Sequence, residues 1–341
     1  MKVFYSFLAL FLLMAIPGLG QSKGAVSNVG TTAAPFLQIG VGSRAIGMGG
    51  AFVATANDIS AMYWNPAGIG GLKQMEAFFV HTRWLADINF DYAGIVFPMY
   101  SWGTIGLSIT TLTMDEMEVR TVDRPEGTGE FFEARDLALG LSYGLHLTNR
   151  FAIGFNVKYV SQKIWKESAS AFAVDIGTLY HTPWRGLRIG AALTNFGTDM
   201  RMDGDDLLVY HDIDPYRMGN NERIFAVLQT DTWPLPLNFQ FGVAYDVFHD
   251  DGHLLTLEAD AVHPIDNKES IHLGMEYVLN KSYFLRAGYR NLFLPDSEEG
   301  ITVGAGLNFP LFGNVQVVVD YAYADFGRLQ NAQRFSVLLR F

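Results

Sequence analysis

The chain has 341 residues, with 24 Lys and Arg against 35 Asp and Glu, so its formal net charge is −11. This acidic balance argues against a nucleic-acid-binding protein, and no nucleic acid is expected as a partner. Hydrophobic residues make up 49% of the chain and charged residues only 17%, which is untypical of a disordered protein. The absence of cysteine excludes disulfide scaffolds and thiolate metal sites.

The first predicted element is a signal peptide over residues 1–20. Lys2 precedes an apolar run from Val3 to Ile16, and a small-x-small sequence typical of a cleavage site follows at 18–20. The run is too short for a membrane-spanning helix, which needs about 20 apolar residues, and no later segment is long enough either. The chain is therefore expected to leave the cytoplasm, and a closed β-barrel is the membrane architecture that remains open to it.

Residues 21–73 do not alternate and are predicted to form an N-terminal periplasmic segment that plugs the barrel. Residues 30–73 are glycine-rich and too irregular to face lipid, yet they carry large apolar side chains that need burial. Asp58 is expected to cap a short helix, and Asn65-Pro66 to begin another turn with Asn as its cap. The plug residues to which we assign a role are Arg44, Asn65, Pro66, Ala67 and Gly68.

From about Gln74 to the C-terminus, apolar and polar residues alternate in segments of the length of transmembrane strands. The predicted fold class is all-β: a transmembrane antiparallel β-barrel over residues 74–341, with about 14 strands and an N-terminal plug that contains short helices. The predicted strands are 74–82, 88–97, 103–111, 135–145, 150–160, 171–180, 186–195, 236–246, 253–262, 270–279, 281–290, 300–309, 313–323 and 333–341.

The two faces of these strands favour a barrel over a soluble sandwich. One face is apolar, whereas the other is rich in small residues with sparse charge, which fits a crowded lumen. We expect cross-strand ion pairs on the inner face that stabilise the wall and anchor the plug, with Arg44 paired to one of the acids. A polar ring that selects solutes is the alternative. The lumen charges concerned are Glu258, Asp260, Glu276, Arg286 and Arg290.

Substitutions on the two faces should differ in cost. Leu285→Arg, on the apolar face, is expected to cost about 2–4 kcal/mol if it lies near the bilayer midplane. Gly288→Ser, on the inner face, is expected to cost much less.

The connections between the predicted strands alternate in length. Those after even-numbered strands are short, whereas the loop 196–235 has 40 residues and no obvious secondary structure. Short periplasmic turns opposite long external loops are typical of outer-membrane barrels, so this loop is expected outside. In the second strand the apolar side chains change from one face to the other at Ala93-Gly94. This step is therefore a candidate for a bulge and for a lateral portal.

The last predicted strand ends on Phe341, and a terminal aromatic residue on an amphipathic strand resembles the C-terminal assembly signal of outer-membrane proteins. Outer-membrane lipid and the barrel assembly machinery are therefore expected partners. No catalytic residue is predicted. The G-x-G-x-x-A pattern at 40–45 lacks a parallel βαβ unit, and the G-x-S-x-G pattern at 140–144 lies on an alternating strand. We accordingly expect no enzyme activity, no cofactor and no metal.

The segment 39–69 resembles the N-terminal block of the PorV/PorQ family, through I-G-V-G-S-R-A-I-G-M-G-G-A-F-V-A at 39–54 and N-P-A-G-I at 65–69. Strand patterns at 235–246, 285–290 and 318–323 match as well, whereas the loop 197–234 departs most. The family is related to FadL-type fatty-acid transporters, which share a 14-stranded barrel with an N-terminal hatch.

The resemblance implies an outer-membrane accessory of type IX secretion that handles cargo. Its partners would be secretion-system components and secreted cargo. The alternative is a FadL-like passive transporter of long-chain fatty acids or other hydrophobic solutes.

Overall fold

The alternating part of the sequence forms 14 antiparallel strands that close into a barrel, which confirms the predicted fold class. The computed structural model describes residues 28–184, 186–214, 216–217, 219, 223–311 and 313–341, so the predicted signal peptide lies outside the described residues. The barrel strands are β1 (Glu76–Arg83), β2 (Asn89–Pro98), β3 (Thr104–Thr113), β4 (Ala134–Thr148), β5 (Phe151–Ile164), β6 (Glu167–His181), β7 (Leu187–Gly197), β8 (Asn238–Asp250), β9 (His253–Pro264), β10 (Ser270–Leu279), β11 (Tyr283–Leu292), β12 (Ile301–Pro310), β13 (Gln316–Asp325) and β14 (Asn331–Arg340).

The barrel closes because β1 pairs with β14 over its whole length. The alternation predicted from the sequence places apolar side chains outward and charged side chains inward. In β11, for example, Leu285 is 60% exposed whereas its neighbour Arg286 is 4% exposed. An outer belt of this kind suits lipid, since every backbone group of a strand finds its partner on a neighbouring strand.

The two ends of the barrel differ in their connections. We call the end that carries the connections 114–133 and 198–237 the long-loop end, and the opposite end, with turns such as 149–150 and 251–252, the short-turn end. Short 3₁₀ turns lie in four of the connections, at Leu85–Asp87, Tyr100–Trp102, Asp205–Leu207 and Gly327–Leu329. No helix among the described residues is long and apolar enough to cross a membrane.

Residues 28–73, which we call the inner segment, run through the lumen from one end to the other. The Thr32 hydroxyl donates to Asp266 at the long-loop end (2.9 Å), whereas the segment meets β1 at the short-turn end. The described part of this segment therefore begins at the long-loop end and finishes at the short-turn end. Four short helical turns lie within it, at Pro35–Gln38, Ser43–Gly47, Ala61–Trp64 and Pro66–Gly71.

The longest connection has secondary structure of its own, contrary to expectation. Within 198–237, Leu208–His211 pairs with Ile224–Val227 to form a hairpin. Lys166, at the tip of the β5–β6 turn, forms an ion pair with Asp206 just before this hairpin (3.0 Å). The hairpin therefore lies beyond the strands at the long-loop end of the barrel. A shorter hairpin joins Met117–Glu118 to Phe131–Phe132 in the other long connection.

The predicted bulge at Ala93-Gly94 is wrong. β2 pairs with β1 and with β3 in continuous register through this step. Phe90 and Tyr92 point into the lumen and are buried, while Phe97 faces outward. Both faces of β2 are apolar because its inward side chains pack against apolar residues of the inner segment. Apolar residues therefore occur on both faces of the strand without the extra residue that a bulge would supply.

Candidate functional site

The inner segment lies directly against the glycines of the barrel wall. A Cβ atom added at Gly154 would lie 2.1 Å from the Pro66 carbonyl carbon, and one at Gly288 would lie 2.2 Å from the Gly49 nitrogen. The small residues of the inner face therefore allow backbone-to-backbone contact rather than an open lumen. The expectation that Gly288→Ser costs little stability is wrong, because Gly288 faces the inner segment and no space for a hydroxymethyl group exists there.

Two arginines and a glutamate link the inner segment to the wall. Glu276 and Arg286 are direct cross-strand partners on β10 and β11, and Arg286 Nε donates to Glu276 Oε2 (2.7 Å). Arg44, from the helical turn Ser43–Gly47, donates to the same carboxylate through Nε (2.9 Å) and Nη2 (2.8 Å). Glu276 is thus shared by two guanidinium groups. The acid predicted to pair with Arg44 is identified as Glu276.

Asp58 and Asp320 extend this network to the inner segment and to β13. Asp58 Oδ2 accepts from Arg44 Nη1 (2.7 Å), and Asp320 Oδ1 accepts from Arg286 Nη1 (2.5 Å). Asp58 Oδ1 also accepts from the Ser60 hydroxyl (2.5 Å) and from the Ser60 N–H (2.9 Å). Charge-assisted, partly bidentate bonds of this kind fix both position and orientation.

Glu258 and Asp260 do not pair with an arginine as the sequence suggested. Asp260 Oδ2 accepts the backbone N–H groups of Phe52 (2.9 Å) and Val53 (3.1 Å). Glu258 Oε1 accepts the N–H of Ala54 (2.6 Å). The Thr55 hydroxyl donates to the same carboxylate. The two carboxylates of β9 therefore hold a turn of the inner segment through its main chain, which satisfies buried N–H donors.

Arg290 stands apart from the other predicted lumen charges. Its Nε lies 3.0 Å from Glu299 Oε2, in the β11–β12 connection at the long-loop end. A further contact that sequence reasoning missed involves Glu76, which accepts from Arg340 Nε (2.7 Å) and from the Ile59 N–H (2.9 Å). In the sequence, nothing distinguished Glu76 except its position at the start of a predicted strand.

The Asn-Pro-Ala-Gly stretch forms a turn against β6. Asn65 caps the turn Pro66–Gly71, as predicted, by accepting from the Ala67 N–H (3.2 Å). Its Nδ2 donates to the Val53 carbonyl (2.8 Å) within the segment and to the Thr178 carbonyl (3.0 Å) of the wall. Gly68 is needed for close approach, since a Cβ there would lie 2.2 Å from the Ala56 oxygen.

The inner segment lies between two cavities. One cavity of about 1070 Å³ opens at the long-loop end and is lined in part by Phe36, Tyr63 and Trp84. The other, of about 1180 Å³, opens at the short-turn end and is lined in part by Lys73 and Phe341. Because the inner segment lines both cavities and they share no lining residue, it separates them.

A closed barrel with an apolar outer belt and an ionic, segment-filled interior defines an outer-membrane β-barrel protein. Residues 22–206, more than half of the chain, match the family model described as type IX secretion system protein PorV. The chain therefore belongs to this family, as the sequence motifs suggested, and the family places it in the outer membrane. No curated protein matches the chain significantly.

Solved structures with a similar fold include a hydrocarbon channel, a toluene transporter and a FadL homologue. The CymD monoaromatic hydrocarbon channel has a TM-score of 0.54 at 13% identity, covering 89% of this chain and 97% of that one. The Ralstonia pickettii toluene transporter TbuX has a TM-score of 0.53 at 12% identity, covering 88% and 97%. A Pseudomonas aeruginosa FadL homologue has a TM-score of 0.51 at 13% identity, covering 88% and 98%. At these identities the similarity concerns the fold alone.

Proposed function

We propose that this protein is an accessory of type IX secretion that binds secretion components or cargo at its long-loop end. The inner segment acts as a permanent plug, held by the Arg44–Glu276–Arg286 network and by the β9 carboxylates. The barrel thereby serves as a membrane anchor for a binding surface.

The observation that carries this proposal is the filled lumen, together with the continuous pairing of β2 with both neighbouring strands. A side opening from the lumen to the lipid would favour transport of hydrophobic solutes, and the Ala93-Gly94 step was the candidate for that opening. Its register is continuous with both neighbours. The inner segment meanwhile separates the two cavities, so a role at the surface is favoured over permeation.

The hairpin in the connection 198–237 supports binding at this end. Leu208, Tyr210, Phe225 and Val227 lie on one face of it and are all exposed, with Phe225 at 73%. Exposed apolar side chains that cluster on a projecting element mark interaction sites. The family match ends at residue 206, before this hairpin, so the hairpin would adapt the protein to its own partner.

Export through the predicted signal peptide at 1–20 and a long-loop end facing the medium belong to the same proposal. Protease added to whole cells should cut the hairpin near Arg217 or Arg223. Cleavage only after the outer membrane is broken would invert this topology. Phe341 follows β14 at the short-turn end, in line with a role as assembly signal for the barrel machinery.

The test is a deletion strain complemented with variants and assayed for secreted cargo that carries the C-terminal sorting domain. Tyr210→Ser with Phe225→Ser should reduce secretion while the barrel still assembles. Met117→Ser with Phe131→Ser is the matched control, because these two apolar residues are similarly exposed on the other hairpin. Normal secretion in the deletion strain would contradict the proposal.

The second candidate function is passive uptake of hydrophobic solutes. It is favoured by the long-loop cavity, which has aromatic residues in its lining, and by the hydrocarbon channels that share the fold. The same deletion strain assayed for uptake of long-chain fatty acids and toluene separates the two. Loss of uptake with intact secretion would establish the transporter instead.

A further inference from the structure

Two arginines of the described residues are buried on the inner wall, and they differ in their partners. Arg286 has two carboxylates, Glu276 at 2.7 Å and Asp320 at 2.5 Å. Arg334, on β14, is 0% exposed, and none of its three guanidinium nitrogens has a hydrogen-bond partner. A guanidinium carries five N–H donors and keeps its charge in proteins, so leaving it unpaired and buried is costly.

The surroundings of Arg334 are aromatic on one side and polar on another. Its Cζ lies 5.1 Å from the centre of the Trp84 ring, which itself packs edge-on against Phe326 at 5.2 Å. The direct neighbour of Arg334 across the β1–β14 pair is Thr82, whose buried hydroxyl also has no partner. One unpaired cation and one unpaired hydroxyl therefore lie side by side.

Among the described residues, no carboxylate forms an ion pair with Arg334. Glu299, in the β11–β12 connection at the same end of the barrel, is paired with Arg290, whose Nε lies 3.0 Å from Glu299 Oε2. Asn291 also donates to Glu299. The Tyr63 hydroxyl donates to the Leu37 carbonyl (2.9 Å). This part of the lumen thus has an excess of positive charge.

We propose that Arg334 is the centre of a buried oxyanion site that binds one carboxylate or phosphate group. The planar guanidinium matches either group through two parallel N–H bonds, and its contact with the Trp84 ring uses none of its N–H donors. The Thr82 hydroxyl supplies a further donor. Trp84 also lines the long-loop cavity, so the anion enters from that cavity when the Trp84 ring moves aside.

This proposal is independent of the function proposed above, since a secretion accessory and a solute transporter could each carry such a site. It is tested on the full-length barrel purified in detergent. The thermal unfolding midpoint is measured at constant ionic strength while chloride is replaced by inorganic phosphate, by acetate or by octanoate. A ligand that binds only the folded state raises the midpoint with the logarithm of its concentration.

Wild type should show a rising midpoint, and Arg334→Gln should lose that rise completely. Arg328→Gln is the matched control, because it removes one positive charge from the exposed β13–β14 connection at the same end and should keep the rise. Thr82→Val should weaken the apparent affinity several-fold. An effect of both phosphate and acetate identifies a small free anion, whereas an effect of octanoate alone identifies the head of an amphiphile.

A second measurement keeps the proposal testable if Arg334→Gln assembles poorly. In buffer without oxyanions, Arg334→Met should unfold at the same or a higher midpoint than wild type, because it replaces an unpaired buried charge by an apolar chain of similar length. Calorimetric titration of wild type with whichever of phosphate, acetate or octanoate raises the midpoint should show one site per chain. The proposal is overturned if no oxyanion changes the wild-type midpoint or if Arg334→Gln and Arg328→Gln respond alike.

Discussion

Gly288→Ala tests whether the inner segment and the wall form one packed unit. Gly288 lies on β11 and faces the lumen. An added Cβ would lie 2.2 Å from the Gly49 nitrogen and 2.3 Å from the Met48 carbonyl carbon. Both are backbone atoms, so no side-chain rotation relieves the contact. The inner segment must move by about 1 Å to reach ordinary van der Waals contact, which begins near 3.4 Å.

The cost follows from two opposing terms. Overpacking of a well-packed interior destabilises by about 1–3 kcal/mol, and a clash with backbone belongs at the upper end of that range. The lower entropy of an unfolded chain with Ala in place of Gly returns about 0.4–1 kcal/mol. We therefore expect Gly288→Ala to lower the free energy of unfolding by about 2 kcal/mol. The displaced segment should also let the barrel conduct ions.

The assays are urea unfolding of the reconstituted barrel and conductance across a planar bilayer. Gly300→Ala is the control, since its nearest contacts are Tyr289 ring atoms at 4.0 Å and it should unfold like wild type. If Gly288→Ala is as stable as Gly300→Ala and equally non-conducting, the inner segment does not press against the wall and the packing argument fails.

Three further substitutions probe the lipid face and the ionic network. Glu276→Gln removes the charge of a buried carboxylate that two guanidinium groups share, and should lower the free energy of unfolding in urea by about 3–5 kcal/mol. Glu298→Gln, in an exposed ion pair, should change that free energy little. Leu285→Arg, on the lipid face, should cost about 2–4 kcal/mol in lipid vesicles, and an unchanged free energy would contradict a lipid-facing position. Asp58→Asn replaces the carboxylate that accepts from Arg44 Nη1 (2.7 Å) by a neutral amide and should lower the free energy of unfolding in urea, and an unchanged value would refute the pairing with Arg44.

The barrel itself was predictable because alternation is a local property. Each strand has one lipid face and one lumen face, so the polarity of alternate side chains indicates which face they lie on, irrespective of the rest of the chain. The predicted strand limits fall within a few residues of those observed along most of the barrel. The largest differences are four residues each: β5 ends at Ile164 rather than at 160, β6 begins at Glu167 rather than at 171, and β8 ends at Asp250 rather than at 246.

The pairing of the lumen charges was predictable only where strands are neighbours. Glu276 and Arg286 are opposite each other in adjacent strands, and cross-strand pairs among these lumen charges were expected. The partners of Glu258 and Asp260 are main-chain N–H groups of residues 52–54, which are some 200 positions away in sequence. Backbone N–H groups do not depend on the side chain, so no residue pattern predicts which of them these carboxylates will bind.

The sequence alone therefore determined the strands, their facing, the need to bury residues 30–73 and the membership of Arg44 in an ionic pair. Only the tertiary structure decided that the inner segment starts at the long-loop end, that β2 needs no bulge at Ala93-Gly94, and that Gly288 has no room for a side chain. The physical reason is that these features depend on what fills the lumen. An inner face that meets water and one that meets a packed segment carry the same small residues, and only the packing of distant parts of the chain distinguishes them.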